Sequence, residues 1–217
     1  MKMQAMMIML ALALAGCAVK APTQAPDDYP VLTLSADEPN TLLFTKPDMN
    51  LGGFDKVHVA PVVVLIVGEE QTTKVTTDDA RRIGIHAETA LREQLGRHFE
   101  LVDTPAADAL GVYFRITELE PTSAAQVAMM VPPFSLVNMF SPKGLFLGSI
   151  TISGEIYEGL AEQPSVAFLA TRSRPGIDAA AAFGRWTVAE KVLEQAAERL
   201  ATDLDAERRA RKSTATR

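Results

Sequence analysis

The chain has 217 residues, a formal net charge of −6 and a pI near 5.2, with 47% hydrophobic residues. That length suits one domain with appended segments, and the apolar share is enough for a core. The acidic balance argues against general nucleic-acid binding, and the only cysteine, Cys17, excludes an internal disulfide framework.

The N-terminus opens with Lys2 and continues as the apolar run Ala5 to Ala15. A helix needs about 20 apolar residues to cross a hydrocarbon core of ~30 Å, so this run reads as a secretory signal and not as a transmembrane span. It ends in Leu14-Ala15-Gly16-Cys17, which resembles the bacterial lipobox: an aliphatic residue and two small ones before the cysteine whose sulfur accepts the lipid. Residues 1–16 are thus expected to be removed and Cys17 to be the lipidated N-terminus, the anchor to the membrane. Ala18 in place of aspartate favours the outer membrane by the sorting rule of enteric lipoproteins. Residues 17–50 hold Pro22, Pro26, Pro30, Pro39 and Pro47 among polar residues and read as a tether. Within it, Val31–Leu34 and Leu42–Phe44 are apolar enough to dock on a domain.

The globular part is expected over 51–205. Residues 55–67 are β-branched and apolar after Ala60, as in a buried strand, and Pro61 must interrupt its ladder. A helix follows, with Thr77 as the expected N-cap and Asp78 and Asp79 in its first turn. Ile83, Ala87, Leu91 and Leu95 form its core stripe. Phe99–Val102 is a short strand. In the next, Leu110, Val112, Phe114 and Ile116 face one way and Tyr113, Arg115 and Thr117 the other. Ile150, Ile152 and Ile156 line one face of a further strand, opposite Thr151, Ser153, Glu155 and Tyr157. Its hairpin partner carries Val166, Phe168 and Ala170. A final helix has Trp186, Ala189, Leu193, Ala196, Leu200 and Leu204 on one stripe. Residues 206–217 are basic and read as a flexible, frayed helix end. The pattern implies an α+β fold: a mixed, mostly antiparallel sheet of about 4–5 strands with two main helices on one face.

Chemistry is sparse. His58, His86 and His98 are scattered and form no metal-ligand motif, no nucleophile elbow or phosphate-binding glycine loop is present, and no metal or cofactor is expected. The unusual stretch is 124–147, rich in Met and Phe and broken by prolines. It reads either as an excursion over the sheet or as a partner or lipid contact through Met129, Met130, Phe134, Met139 and Phe140.

In order, several stretches resemble the bacterial lipoprotein family known as domain of unknown function 3313. They are Phe54-Asp-Lys-Val-His-Val-Ala-Pro-Val, Leu91-Arg-Glu-Gln-Leu, Leu101-Val-Asp-Thr-Pro, Ala109 to Pro121, Gly148-Ser-Ile-Thr-Ile-Ser-Gly-Glu-Ile-Tyr and the Trp186 helix. Where that family suggests an Asp-x-x-Thr-Gly-Glu-like turn, this chain has Glu158-Gly-Leu-Ala-Glu-Gln-Pro. The resemblance implies an envelope location and an α+β fold, and brings no catalytic residues. A non-enzymatic, membrane-anchored accessory protein that binds an envelope protein is therefore expected first. A lipid-handling accessory role comes second and a periplasmic hydrolase third.

Overall fold

The computed structural model describes residues 30–38, 40–66, 74–121, 146–175 and 184–215. Among them the order is β1 (Thr33–Leu34), β2 (Thr41–Thr45), a 3-10 turn (Leu51–Gly53), β3 (Lys56–Val59) and β4 (Val63–Val64). Then come α1 (Thr77–Leu95), β5 (Glu100–Val102), β6 (Ala109–Glu120), β7 (Phe146–Glu158), β8 (Val166–Pro175) and α2 (Thr187–Ala215).

The strands form one mixed sheet of eight, in the order β1-β2-β8-β7-β6-β3-β5, with β4 also paired to β6. The α+β class is as expected, but the count of about 4–5 strands was too low. Two physical causes account for the difference. Pro61 splits the 55–67 run, so that β3 and β4 each pair in parallel with β6, at Val59↔Val112 and at Val63↔Arg115. In addition, Thr41–Thr45 lies antiparallel to β8 and carries β1 on its outer side. Asn40 makes the turn between β1 and β2 with φ 54°, a left-handed conformation that asparagine tolerates. The two apolar pieces of the stretch read as tether thus lie in the sheet, as Thr33–Leu34 and Thr41–Thr45.

Alternation places Leu110, Val112, Phe114 and Ile116 of β6 and Ile150, Ile152 and Ile156 of β7 in one core with Val57 and Val59 of β3. A bulge between Ile116 and Glu118 shifts the register, so that Leu119 pairs with Ile150 and is also buried. The helices close this face. The expected stripe of α1 is buried, and Ala90 joins it. The helix starts one residue earlier than expected: Thr76 is the N-cap, and Asp79 completes a reciprocal capping box with it. Trp186, at the entrance to α2, donates its indole N–H to Asp79 Oδ1 at 2.6 Å.

The basic segment after residue 205 is helical to Ala215 and is held against the domain. Arg208 bridges Asp205 at 2.6 Å and Asp55 at 2.7 Å, and its guanidinium lies 4.6 Å from the Phe99 ring centroid. Lys212 reaches Asp55 at 2.5 Å. The helix comes so close to the 3-10 turn that a Cβ on Gly52 would lie 2.9 Å from Cβ of Arg211. Side chains separated by about 150 positions in sequence thus replace the expected frayed end with a docked one.

Asp205 is the centre of this arrangement. It is buried, and its carboxylate meets Arg208, Arg209 at 2.5 Å and His98 Nδ1 at 3.2 Å. Burial pulls its carboxyl pKa upward, but the Arg208 hydrogen bond and the charges of Arg209, Arg208 and His98 outweigh that and hold it below the ordinary 3.8. Because the folded pKa is the lower one, its contribution is complete above 3.8 and is lost as pH falls through the folded value. Asp205→Asn is expected to cost about 2 kcal/mol at neutral pH, less than for a fully enclosed pair because Arg209 and part of His98 are in water. Urea unfolding at neutral pH and below pH ~3.8 checks this: the difference between wild type and variant should shrink in acid.

Candidate binding face of the sheet

The second face of the sheet is set by the other half of the alternation. His58 of β3 lies beside Gly111 of β6, and Gly111, Tyr113 and Arg115 pair with Tyr157, Glu155 and Ser153 of β7. Across β7 the same face continues as Ala167, Leu169 and Thr171 of β8. It is polar and aromatic along β3, β6 and β7, and apolar along β8.

The rings form a ladder. Tyr113 and Tyr157 meet edge to face at 5.3 Å and 79°, and His58 stands edge-on to Tyr113 at 6.3 Å. Glu155 is buried between them. Arg115 approaches its Oε1 at 3.5 Å, and the Tyr157 hydroxyl donates to its Oε2 at 3.2 Å. Both oxygens of a carboxylate taken out of water are thus matched, one by charge and one by a hydrogen bond. Further along, the Thr151 hydroxyl, also buried, donates to Glu118 Oε2 at 2.9 Å and lies 3.0 Å from the Thr171 hydroxyl. Ser153 Oγ is buried and, among the described residues, has no hydrogen-bond partner. Leaving such a hydroxyl unsatisfied costs on the order of 1–3 kcal/mol.

A cleft of about 390 Å³ opens over this cluster, lined by Tyr113, Arg115, Glu155 and Tyr157 with Pro105 and Leu160 at its rim. Its groups can donate and accept hydrogen bonds and present ring edges. A smaller groove of about 350 Å³ runs between the helices, where His86 Nε2 lies 3.3 Å from both the Glu190 carbonyl and Glu194 Oε1. Among the described residues no three potential metal ligands cluster, and no helix is long and apolar enough to cross a membrane.

Cys17, Met129, Met130, Phe134, Met139 and Phe140 lie outside the described residues; of the 124–147 stretch, Phe146 and Leu147 belong to β7. The three histidines are apart, as their positions suggest: His58 is on the second face with Nδ1 3.3 Å from the Val102 carbonyl, and His98 is paired to Asp205. Tyr113, Arg115, Glu155 and Tyr157 stand on the polar side of their strands, as alternation predicts, but alternation alone marks no site there. The signal was present as an acid, a base and two tyrosines at alternate positions of adjacent strands.

Among curated proteins none matches this chain. Among solved structures it is similar to the PelC dodecamer from Paraburkholderia phytofirmans, at 12% identity and TM-score 0.43, over 73% of this chain and 94% of that one. It is also similar to a DUF4136 family protein from Bacteroides thetaiotaomicron, at 11% identity and TM-score 0.37, over 76% and 96%. Residues 22–200 match the model of the family described as Protein of unknown function (DUF3313), and the chain belongs to that family.

Proposed function

We propose that this protein is a lipid-anchored, non-enzymatic envelope protein that binds a partner through the second face of its sheet. The observation that carries the binding role is the cleft over Tyr113, Arg115, Glu155 and Tyr157. Polar groups placed at the floor of a concavity fix the orientation of what enters it. The ion pair at the floor also disfavours an acyl chain as the occupant, since apolar atoms could not replace the hydration that Arg115 and Glu155 give up.

The anchoring role rests on Leu14-Ala15-Gly16-Cys17 behind the apolar run. Intact mass of the protein purified from membranes tests it: an acylated chain beginning at Cys17 is expected, and an unmodified chain overturns it. The binding role is tested by a photocrosslinking residue at Tyr113 or at Leu160 in intact cells, with Thr89 on α1 as the control. A discrete product from the cleft positions alone supports the reading. Equal labelling from all three positions, or none from the cleft, sinks it.

A further inference from the structure

Among the described residues the sheet ends at β1, a strand of two residues paired on one side only. Two apolar side chains stand out from this edge, Val31 at 86% exposure and Leu34 at 67%. Leu34 pairs with Leu42, and Leu42 with Leu169, so an apolar row crosses β8, β2 and β1 and emerges at Leu34. A bare edge with exposed aliphatic residues is one that soluble proteins normally blunt with charge or cover. Among the described residues, other exposed aliphatic side chains stand singly, as Ile85 does on α1 and Leu160 in the β7–β8 turn.

The position of this edge along the chain singles out what covers it. Because β1 and β2 belong to the sheet, the link to Cys17 is shortened from the expected 17–50 to the residues before Val31. A chain of that length reaches at most about 50 Å when fully extended, and a flexible one averages roughly 20 Å. A domain of this size is about 40 Å across. The described chain enters the domain at its β1 edge, so a lipid at Cys17 keeps that edge on average nearer the leaflet than the far side of the domain.

We infer that the β1 edge, through Val31 and Leu34, seats on the surface of the membrane that anchors the protein. This rests on the lipid anchor proposed above. Two aliphatic side chains add interfacial contact to that of the anchor. The domain is thereby oriented as well as tethered.

The test uses the full mature lipoprotein in vesicles of phosphatidylethanolamine and phosphatidylglycerol carrying nitroxide-labelled acyl chains. Since Cys17 is the only native cysteine and acylation consumes its thiol, Leu34→Cys, Val31→Cys or Leu160→Cys each offers a single site for an environment-sensitive fluorophore. Quenching at 34 and 31 is expected to exceed that at 160 by roughly threefold or more. Leu34→Asp should leave thermal unfolding unchanged, because the side chain is exposed, and should reduce quenching at 31. Equal quenching at 34 and 160 in acylated protein overturns the inference alone. Shielding of position 34 that needs no vesicles and grows with protein concentration also overturns it, by showing a second copy on the edge. Protein with no acyl mass removes both the anchor and the inference.

Discussion

Replacing Trp186 with alanine is expected to cost about 4 kcal/mol, the range for emptying a buried indole site. Trp186 is 3% exposed and joins the start of α2 to the start of α1. Its N–H donates to Asp79, the same carboxylate that closes the capping box with Thr76. Arg185 lies over the ring at 5.2 Å. Burial raises the Asp79 carboxyl pKa, but hydrogen bonds from Thr76 and Trp186, the Thr76 backbone and the Arg185 charge outweigh it and set the pKa below the ordinary 3.8. Trp186→Phe separates the two contributions: it keeps most of the packing and gives up a charge-assisted hydrogen bond worth about 1.5–3 kcal/mol. Asp79→Ala should cost a similar amount, because it removes the cap and leaves the indole N–H without its acceptor. Urea unfolding followed by circular dichroism, in a double-mutant cycle of these two changes, is expected to give clear coupling. Strict additivity would show that the hydrogen bond contributes nothing. The Asp79 contribution is also lost in acid, as pH falls from 3.8 through the lower folded pKa.

The elements that were legible in the sequence are those whose burial is one-sided and local. Ile83, Ala87, Leu91 and Leu95 fall on one stripe of α1 because a helix repeats every 3.6 residues, and Leu110 to Ile116 alternates because a strand repeats every two. Pairing between distant segments leaves no such trace. β2 owes its place to β8, through Thr41↔Ala170 and Thr45↔Val166; its apolar Leu42-Leu43-Phe44 run marks it as able to dock, but nothing local names the strand it docks on. The docked end of α2 likewise depends on Asp55 and on the missing side chain of Gly52, neither of which marks the local sequence of α2. The candidate site was hidden for a third reason. Alternation assigns polar residues to solvent, whereas Thr151, Ser153 and Glu155 are all buried on the second face. Periodicity told which residues share that face, and only the structure brought Arg115, Glu155 and Tyr157 into contact.

Gly154→Val is expected to destabilise the domain by about 3 kcal/mol or more, and Gly154→Ala by about 2. In an ordinary strand the sign would be the opposite, since glycine is the weaker strand former. Gly154 is different because it sits between Phe114 on β6 and Phe168 on β8 on the helix-packed face. The two rings meet edge to face above it, at 5.5 Å and 82°. A Cβ at this position would fall 2.4 Å from Phe168 Cζ and 2.9 Å from Phe114 Cε1. Phenyl rings have no flexible end to withdraw, so one must leave its rotamer or the strands must part. Shortening one ring separates these possibilities. Phe168→Leu alone should be destabilising through lost packing, yet combined with Gly154→Ala it should recover part of the alanine penalty, because the added methyl then has room. Thermal and urea unfolding of the two single variants and the double check this. If Gly154→Ala is as stable as wild type, the rings do not close over the glycine. If the double variant loses the sum of both effects, the penalty comes from the backbone and not from the rings.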